Sequence, residues 1–285
     1  MRAKVNKPGW AAIVVGVLLL AAGFGTLGWA AGSTYEIWVT NQGINKVQIL
    51  DGKTLEVIAE VAAGTKPHNV TFTADGKHAW VANVGSSNVT VIDTATRKAV
   101  ATIPGGKTCH AVTFSPDGKR AYLANPGDGT VSVVDALKLD LVKTIPVGKA
   151  PALVTFSQDG KKAYVSNGGD ATLSVIDTAT LEVIKTVPNV GKGAMGMVRS
   201  MDGKRLIVTG GGENKVSVVD TGQDAVVKEL VHGKDAHGVA LTPDGKQAWV
   251  PNRLSGDVSI FDAASGDLLA TIPNVGDKTD IIAFS

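Results

Sequence analysis

The chain has 285 residues, 34 of them glycine, and a formal charge of +2 at pH 7. Abundant glycine, valine and threonine after residue 34 favour short strands and tight turns, which predicts an all-β protein. The positive excess comes from Arg2, Lys4 and Lys7, so the rest is nearly neutral and argues against nucleic acid binding. The single cysteine, Cys109, excludes an internal disulfide, and we expect it to be a small buried hydrophobic residue.

The segment 1–34 is predicted to hold one transmembrane helix. Residues 10–31 are apolar or small throughout, a stretch as long as the roughly 20 residues that cross a bilayer. Trp10 and Trp29 are spaced to lie at the two membrane interfaces, and the basic residues before the helix place the N-terminus in the cytoplasm. Residues 35–285 are then expected outside the cytoplasm, in the periplasm or an equivalent space.

Small residues in this segment leave two alternatives open. Gly28 and Ala30 fit the −3 and −1 positions of a secretory signal peptide cleaved before Ala31. Four-residue spacing, as in Gly28 and Gly32 or in Ala21 and Gly25, suits close contact with another membrane helix, although such residues are common in membrane helices anyway. We expect a retained anchor in contact with lipid and other membrane-protein subunits.

A repeated unit follows, marked by the tripeptide Asp-Gly-Lys. Its copies begin at residues 75, 117, 159, 202 and 244, at intervals of 42 or 43 residues. Apolar runs on both sides of the tripeptide predict a hairpin of two strands, A and B, turned by Asp-Gly. An alternating run that ends in Asp, such as 89–93, predicts strand C, and a last run before proline, such as 100–103, predicts strand D. Four antiparallel strands in ~42 residues predict one blade of a β-propeller.

The two ends of the repeat region are complementary. The first unit begins at Tyr35 with the strand B pattern, and the chain ends at Ser285 with the strand A pattern. Segment 280–285 is therefore expected to complete the first blade, which closes a six-bladed ring over 35–285 by a one-plus-three arrangement. A seven-bladed ring with a missing last blade is the alternative.

Three motifs carry a resemblance to a known family: Trp38-Val39-Thr40-Asn41, Tyr164-Val165-Ser166-Asn167 and Ser115-Pro116-Asp117-Gly118-Lys119. They resemble the YVTN-type β-propeller repeat, which covers all of 35–285. The resemblance implies a scaffold used in cell-surface, periplasmic and cofactor-associated roles. The sequence departs from the repeat at Gly210, where asparagine is lost, and at 197–201, where strand A looks degenerate.

One position of strand A, two residues before its valine, collects three of the five histidines. This position is expected at the rim of the central channel, where it holds, in ring order, His68, His110, Ala152, Met195, His237 and Asp280. Imidazole, carboxylate and thioether groups bind transition metals, so the rim is the candidate metal or cofactor site. A polar ring that merely hydrates the channel is the alternative, and no cofactor is predicted. His78 and His232, outside this register, are expected on the surface or in loops.

Motifs of common enzymes are missing from the sequence. It has no GxSxG, HExxH or P-loop motif, and no predicted helix follows the glycines at 210–212. We therefore expect a non-enzymatic, membrane-anchored propeller that acts as a protein-interaction or structural subunit of a larger membrane complex. The alternative is a periplasmic propeller that binds a metal or cofactor at its histidine rim. The sequence does not decide whether a small ligand binds.

Overall fold

The computed structural model describes residues 35–231 and 233–279, which form six antiparallel sheets in chain order. Within these residues, sheet 1 has three strands and sheets 2 to 6 have four each. Strands that are consecutive in sequence pair with each other, so every sheet is a simple meander.

The first three sheets contain the following strands: β1 Glu36–Asn41, β2 Lys46–Asp51 and β3 Val57–Ala62 in sheet 1; β4 Pro67–Phe72, β5 His78–Asn83, β6 Asn88–Asp93 and β7 Lys98–Pro104 in sheet 2; β8 Ala111–Phe114, β9 Arg120–Asn125, β10 Thr130–Asp135 and β11 Leu141–Pro146 in sheet 3.

The other three sheets contain the following strands: β12 Pro151–Phe156, β13 Lys162–Asn167, β14 Thr172–Asp177 and β15 Glu182–Val187 in sheet 4; β16 Ala194–Arg199, β17 Arg205–Gly210, β18 Lys215–Asp220 and β19 Ala225–Val231 in sheet 5; β20 Ala240–Leu241, β21 Gln247–Asn252, β22 Asp257–Asp262 and β23 Leu268–Ile272 in sheet 6. Strand A is thus the first strand of sheets 2 to 6, and sheet 1 begins with strand B.

Aspartates hold the turns at one end of every sheet. In the A–B turn of sheet 2, Asp75 accepts hydrogen bonds from the Thr73 hydroxyl (2.7 Å) and the Lys77 backbone N–H (3.1 Å), while Gly76 takes a φ of +69° that favours glycine. In the C–D turn of sheet 1, Asp51 accepts the backbone N–H groups of Lys53 (2.9 Å) and Thr54 (2.7 Å). Equivalent aspartates occupy the other sheets, so each repeat carries its own turn chemistry.

These hydrogen bonds lower the pKa values of the turn carboxyls. In the A–B turns, a serine or threonine hydroxyl is the main cause and a backbone N–H the second, for Asp75, Asp117, Asp159, Asp202 and Asp244. In the C–D turns, backbone N–H groups are the main cause, for Asp51, Asp135, Asp177, Asp220 and Asp262. All of these turns therefore depend on ionised aspartate.

We expect the chain to unfold steeply in acid. A carboxyl whose folded pKa is depressed adds stability above its unfolded pKa of about 3.9, and that stability is lost as the pH falls through the folded pKa. Because the turn aspartates all shift in this direction, the thermal midpoint should fall most sharply below about pH 4. Thermal scans by circular dichroism from pH 7 to 2 measure this, and an unchanged midpoint at pH 3 would contradict it.

Neighbouring sheets pack face to face through aromatic pairs. Trp38 of β1 meets Phe72 of β4 edge to face at 5.4 Å between ring centroids, and Trp80 of β5 meets Phe114 of β8 at 5.2 Å. Tyr122 of β9 and Phe156 of β12 repeat the contact at 5.1 Å. The aliphatic cores, such as the cluster of Trp80, Val91, Val112 and Leu123, also lie between sheets. The hydrophobic core is thus a series of layers, each shared by two sheets.

A buried asparagine ends strand B in most sheets. Its side-chain NH₂ donates to a hydroxyl on strand C, in the pairs Asn83–Thr90 (3.0 Å), Asn125–Ser132 (3.0 Å), Asn167–Ser174 (2.9 Å) and Asn252–Ser259 (2.9 Å). In sheet 5 this asparagine is replaced by Gly210, and the buried Ser217 hydroxyl has no hydrogen-bond partner. A Cβ on Gly210 would lie 2.8 Å from Gly191 Cα, so the backbone fills the place of the missing side chain.

The repeat, the strand order and the turns predicted from the sequence are confirmed. Strand A of sheet 5 forms over six residues as β16, with a register shift between Ala194 and Met197 like those in β4 and β12; the shortest strand A is β20 in sheet 6. The predicted closing strand 280–285, His232 and the whole segment 1–34, including the proposed anchor residues, lie outside the described residues. In the described part of the chain, no helix has the length and apolar character needed to span a membrane.

Candidate functional site

The predicted rim residues occupy equivalent places where strands A begin. His68, Ala152 and Met195 lie on β4, β12 and β16, while His110 lies one residue before β8 and His237 three residues before β20. Threonine side chains of the preceding sheets hydrogen-bond to the backbone at two of these positions. Thr40 Oγ1 donates to the carbonyl oxygen of His68 at 3.0 Å, and Thr209 Oγ1 donates to the carbonyl oxygen of His237. Asp280 lies outside the described residues, so its place in the rim stays a prediction.

Two of the rim histidines are in direct contact. The imidazoles of His68 and His110 lie 4.1 Å apart between ring centroids, with an angle of 37° between their planes. Both side chains are partly buried, and strand β4 packs beside β8. The register inferred from the repeat therefore places these two rings together, although they are 42 residues apart in sequence.

His110 is held as a neutral imidazole. Burial is the main cause that lowers the pKa of His110 to about 4. Positive charge on His68 or His237 would lower this pKa further, whereas the hydrogen bond to the Ala152 carbonyl raises it. Its Nδ1 lies 3.1 Å from the carbonyl oxygen of Ala152. A carbonyl oxygen can only accept, so Nδ1 carries the proton and Nε2 keeps its lone pair. The ring is thus fixed in the tautomer that a ligand nitrogen requires.

We expect His110 to make stability pH-dependent between about pH 6.5 and 4. Because its folded pKa is depressed, the unfolded chain binds more protons in this window, and stability falls as the pH falls. His110→Gln should therefore lose less stability than the wild type between pH 7 and 5 in denaturant titrations. His78→Gln is the control, and an NMR titration that finds His110 protonated at pH 5.5 would contradict the assignment.

The described rim residues fit the role of an axial ligand to haem iron better than that of a complete binding site for a bare metal ion. Within residues 35–231 and 233–279 there is no group of three His, Cys, Asp or Glu residues that could hold an ion. Protein-bound zinc requires three or four protein ligands, whereas haem iron requires one strong axial ligand such as a histidine. His110 alone could supply that nitrogen. Met195, the predicted soft donor, is partly buried in the same register.

Cys109, next to His110 in sequence, does not contribute a metal-binding thiolate. It is fully buried, and burial raises the pKa of its thiol to about 12. The thiol is therefore protonated at neutral pH, which agrees with its predicted role as a small hydrophobic residue.

Sequence reasoning missed a set of exposed aliphatic residues on the outer strands. Each strand D carries one, and these side chains are 42% to 55% exposed: Ile58, Val100, Val142, Ile184, Val227 and Leu269. Lysine follows the aliphatic residue on β11, β15 and β19, but alanine follows it on β3, β7 and β23. Alignment of the strand D segments alone would have revealed this pattern.

Comparison with known proteins finds similarity in sequence and in fold. The sequence model of the cytochrome D1 heme domain matches residues 81–195, a region that includes His110 but neither His68 nor His237. Among solved structures, 1660 chains match, so the architecture itself does not select a function. One of them, hydrazine synthase from Kuenenia stuttgartiensis, has 24% identity and a TM-score of 0.75 over 86% of this chain and 85% of that chain, a likeness of fold alone. A search of the curated proteins found no match.

A second family model that matches the sequence describes a family of propellers. Its sequence model, described as the YNCE-like beta-propeller, matches residues 15–120 and 156–245, well over half of the chain. The matched regions include parts of all six sheets and the turns that define the repeat. The chain belongs to the YNCE-like β-propeller family.

Proposed function

We infer that this propeller is a non-enzymatic binding protein, a protein-interaction or structural subunit of a larger membrane complex. In this proposal segment 1–34 is the membrane anchor, or a signal peptide if it is cleaved, and the sheets lie outside the cytoplasm. The observation that carries the proposal is that lysine protects some of the outer strands against pairing with another chain and is missing from the others. The β-propeller family membership supports a scaffold with exposed strand edges.

An outer strand presents backbone groups and side chains to any partner, and lysine at such an edge discourages pairing. Lys143, Lys185 and Lys228 provide this protection on β11, β15 and β19. On β3, β7 and β23 the aliphatic residue is followed by alanine, so this lysine is missing; β3 carries the exposed Glu60 and β7 begins at the exposed Lys98, while β23 has no charged residue. In a closed ring, sheets 6, 1 and 2 are consecutive, which gathers the three edges without this lysine into one arc where a protein partner can bind.

Size measurements on the full chain test this proposal. We expect the chain, extracted from its native membranes with mild detergent, to migrate as part of a larger complex. Ile58→Lys and Leu269→Lys should release it from the complex, whereas the matched changes Val142→Lys and Ile184→Lys should not. Migration of the wild type as a bare monomer, or equal release by all four variants, would contradict the proposal.

A second function is supported by the paired imidazoles and by the match to the heme domain: binding of a haem-type cofactor at the histidine rim. His110 would hold the iron through Nε2, and His68 would pack against the bound group. Haem, when bound, supplies electron transfer or binding of a small diatomic ligand. The chain's own residues would orient the group, since the Ala152 carbonyl fixes the His110 ring.

Absorption spectroscopy distinguishes this second function from the first. Purified chain titrated with haem should develop a Soret band at a stoichiometry of one, and His110→Ala should abolish it while His78→Ala should not. Titration with Zn²⁺ and Cu²⁺, against a variant with His68, His110 and His237 all changed to alanine, tests the metal-ion alternative. Absence of saturable uptake in both titrations would exclude a ligand role for the rim.

A further inference from the structure

Cationic side chains bridge most neighbouring sheets near the A–B and C–D turns. They extend from strand B or D of one sheet to the C–D turn of the next, in the pairs Arg120–Thr178 O (2.6 Å) and Lys143–Thr180 O (3.3 Å) for sheets 3 and 4, Lys162–Asp224 (2.6 Å) and Lys185–Gln223 O (2.7 Å) for sheets 4 and 5, and Lys228–Ser265 O (3.2 Å) for sheets 5 and 6. Between sheets 1 and 2 the direction is reversed, and Arg97 of the C–D turn binds Glu36 at 2.5 Å.

The junction between sheets 2 and 3 lacks a cationic bridge at both positions. His78 stands where Arg120 and Lys162 stand in the next sheets, and Ala101 stands where Lys143 and Lys185 stand. Among the described residues, no side-chain hydrogen bond from His78 to sheet 3 is found. The C–D turn of sheet 3 presents Leu137, which is 88% exposed, in place of the alanine or glycine of other sheets.

A pocket of about 310 Å³ occupies this unbridged junction. Its lining comes from both sheets: the apolar lining residues include Trp80, Val91, Val100, Leu137 and Leu139, and the polar ones include Asp75 and His78. A volume near 300 Å³ lies at the small end of the range for ligand pockets, which suits one ring or a short branched chain.

Asp75 is the carboxylate among these lining residues, which include no lysine or arginine. It is exposed, and hydrogen bonding by Thr73 lowers the pKa of its carboxyl, so the group is ionised at neutral pH. Its Oδ1 accepts from Thr73 and from the Lys77 N–H, while Oδ2 forms a 3.7 Å ion pair with Lys77 Nζ. Both side chains of this ion pair are mostly exposed, so the pair holds the carboxylate weakly. A weakly held carboxylate beside apolar side chains favours a cation at the end of an apolar body.

We propose that the junction between sheets 2 and 3 is a binding site for a small organic amine, whose aromatic or branched aliphatic group lies between Trp80, Val100 and Leu139 and whose ammonium group pairs with Asp75. The imidazole of His78 lines the same pocket. The site is separate from the histidine rim, and it shares Val100 with the outer strand of sheet 2.

Calorimetric titration of the full chain in detergent with 2-phenylethylamine tests the proposal, with 2-phenylethanol and 3-phenylpropionate as the neutral and anionic analogues. The amine should bind at one site per chain, the alcohol roughly fivefold more weakly, and the carboxylate most weakly, since an exposed ion pair contributes up to about 1 kcal/mol. Asp75→Asn should weaken amine binding to the level of the alcohol, whereas Asp159→Asn, the same turn position in sheet 4, should leave it unchanged.

Two further variants are designed to fill the pocket with a cationic side chain while its apolar lining residues are kept. His78→Arg and Ala101→Lys restore the cations that bridge the neighbouring junctions, and each should abolish amine binding while the thermal midpoint is kept or raised. Amine binding that survives both variants, or equal binding of the amine and the carboxylate, would overturn the proposal. Absence of saturable binding to the wild type would also overturn it, and this result would leave the complex-subunit function untouched.

Discussion

Replacing Asp224 with alanine is expected to lower the free energy of unfolding by about 3 to 4 kcal/mol, the lower part of the range for removing one partner of a buried ion pair, because Lys162 is only partly buried. Asp224 is buried, and its carboxylate accepts hydrogen bonds from Lys162 Nζ at 2.6 Å and from Tyr164 OH at 2.7 Å. Burial, and then the neighbouring carboxylate, raise the pKa of the Tyr164 phenol, so it stays a donor. Without Asp224, the lysine and the phenol keep only the Thr221 carbonyl oxygen, at 3.2 and 3.3 Å, as a shared acceptor.

The backbone conformation of Asp224 calls for matched variants. Its φ of +49° is strained for alanine, so Asp224→Gly isolates the loss of the side chain. Asp224→Asn accepts the same conformation and retains a hydrogen-bond acceptor, and we expect it to cost about 1 to 2 kcal/mol. Guanidinium titrations of the full chain, with Lys162→Met and the double variant, measure the coupling. Equal losses for Asp224→Asn and Asp224→Gly would show that a neutral acceptor contributes nothing here, and no loss for Asp224→Asn would show that the charge does not matter.

Removal of the buried asparagine from sheet 3 should have the second largest effect. Asn125 Oδ1 accepts the Gly106 N–H at 3.1 Å, and its NH₂ donates to Thr130 (3.2 Å) and Ser132 (3.0 Å). Asn125→Ala leaves a backbone donor and a hydroxyl buried and unpaired, each costing about 1 to 3 kcal/mol. We expect a total loss of about 3 kcal/mol in the free energy of unfolding, measured by chemical denaturation.

Sheet 5 provides the natural control for this network. Ser132→Ala should cost about 1 kcal/mol, because it breaks a hydrogen bond that exists. Ser217→Ala removes a buried hydroxyl that has no partner, so it should leave stability unchanged or raise it slightly. If Ser217→Ala were as costly as Ser132→Ala, the hydroxyl would have to be satisfied by a group such as an ordered water.

The sequence predicted features that depend on one repeat at a time. Turn residues such as Asp75 and Gly76 act within their own hairpin, and alternating runs reveal which face of a strand is buried, so the sheets could be assigned from pattern alone. Comparison between repeats went one step further: it put His68 and His110 at the same position of neighbouring sheets, where their rings lie 4.1 Å apart. The predicted anchor and closing strand fall on residues that the structure does not describe.

Features that join different repeats could not be predicted in the same way. Lys162 and Asp224 are 62 residues apart, and nothing in either repeat indicates that one contacts the other. The tautomer of His110 depends on a carbonyl group of the next sheet, and any residue there would have provided the oxygen. The junction pocket was missed because it results from two substitutions, His78 and Ala101, whose effect is apparent only when the neighbouring bridges are known.

The lysines on β11, β15 and β19 have a mechanical consequence. They fasten the outer parts of sheets 3 to 6 to one another in succession. The junction between sheets 2 and 3, with His68 and His110 on its two sides, is held instead by the Trp80–Phe114 contact and by the hydrogen bonds that join Asn69 and Thr71 to the Val112 backbone. A ligand that spreads these rings apart would therefore strain the inner packing of the two sheets, with no lysine on the outer strand to share the load.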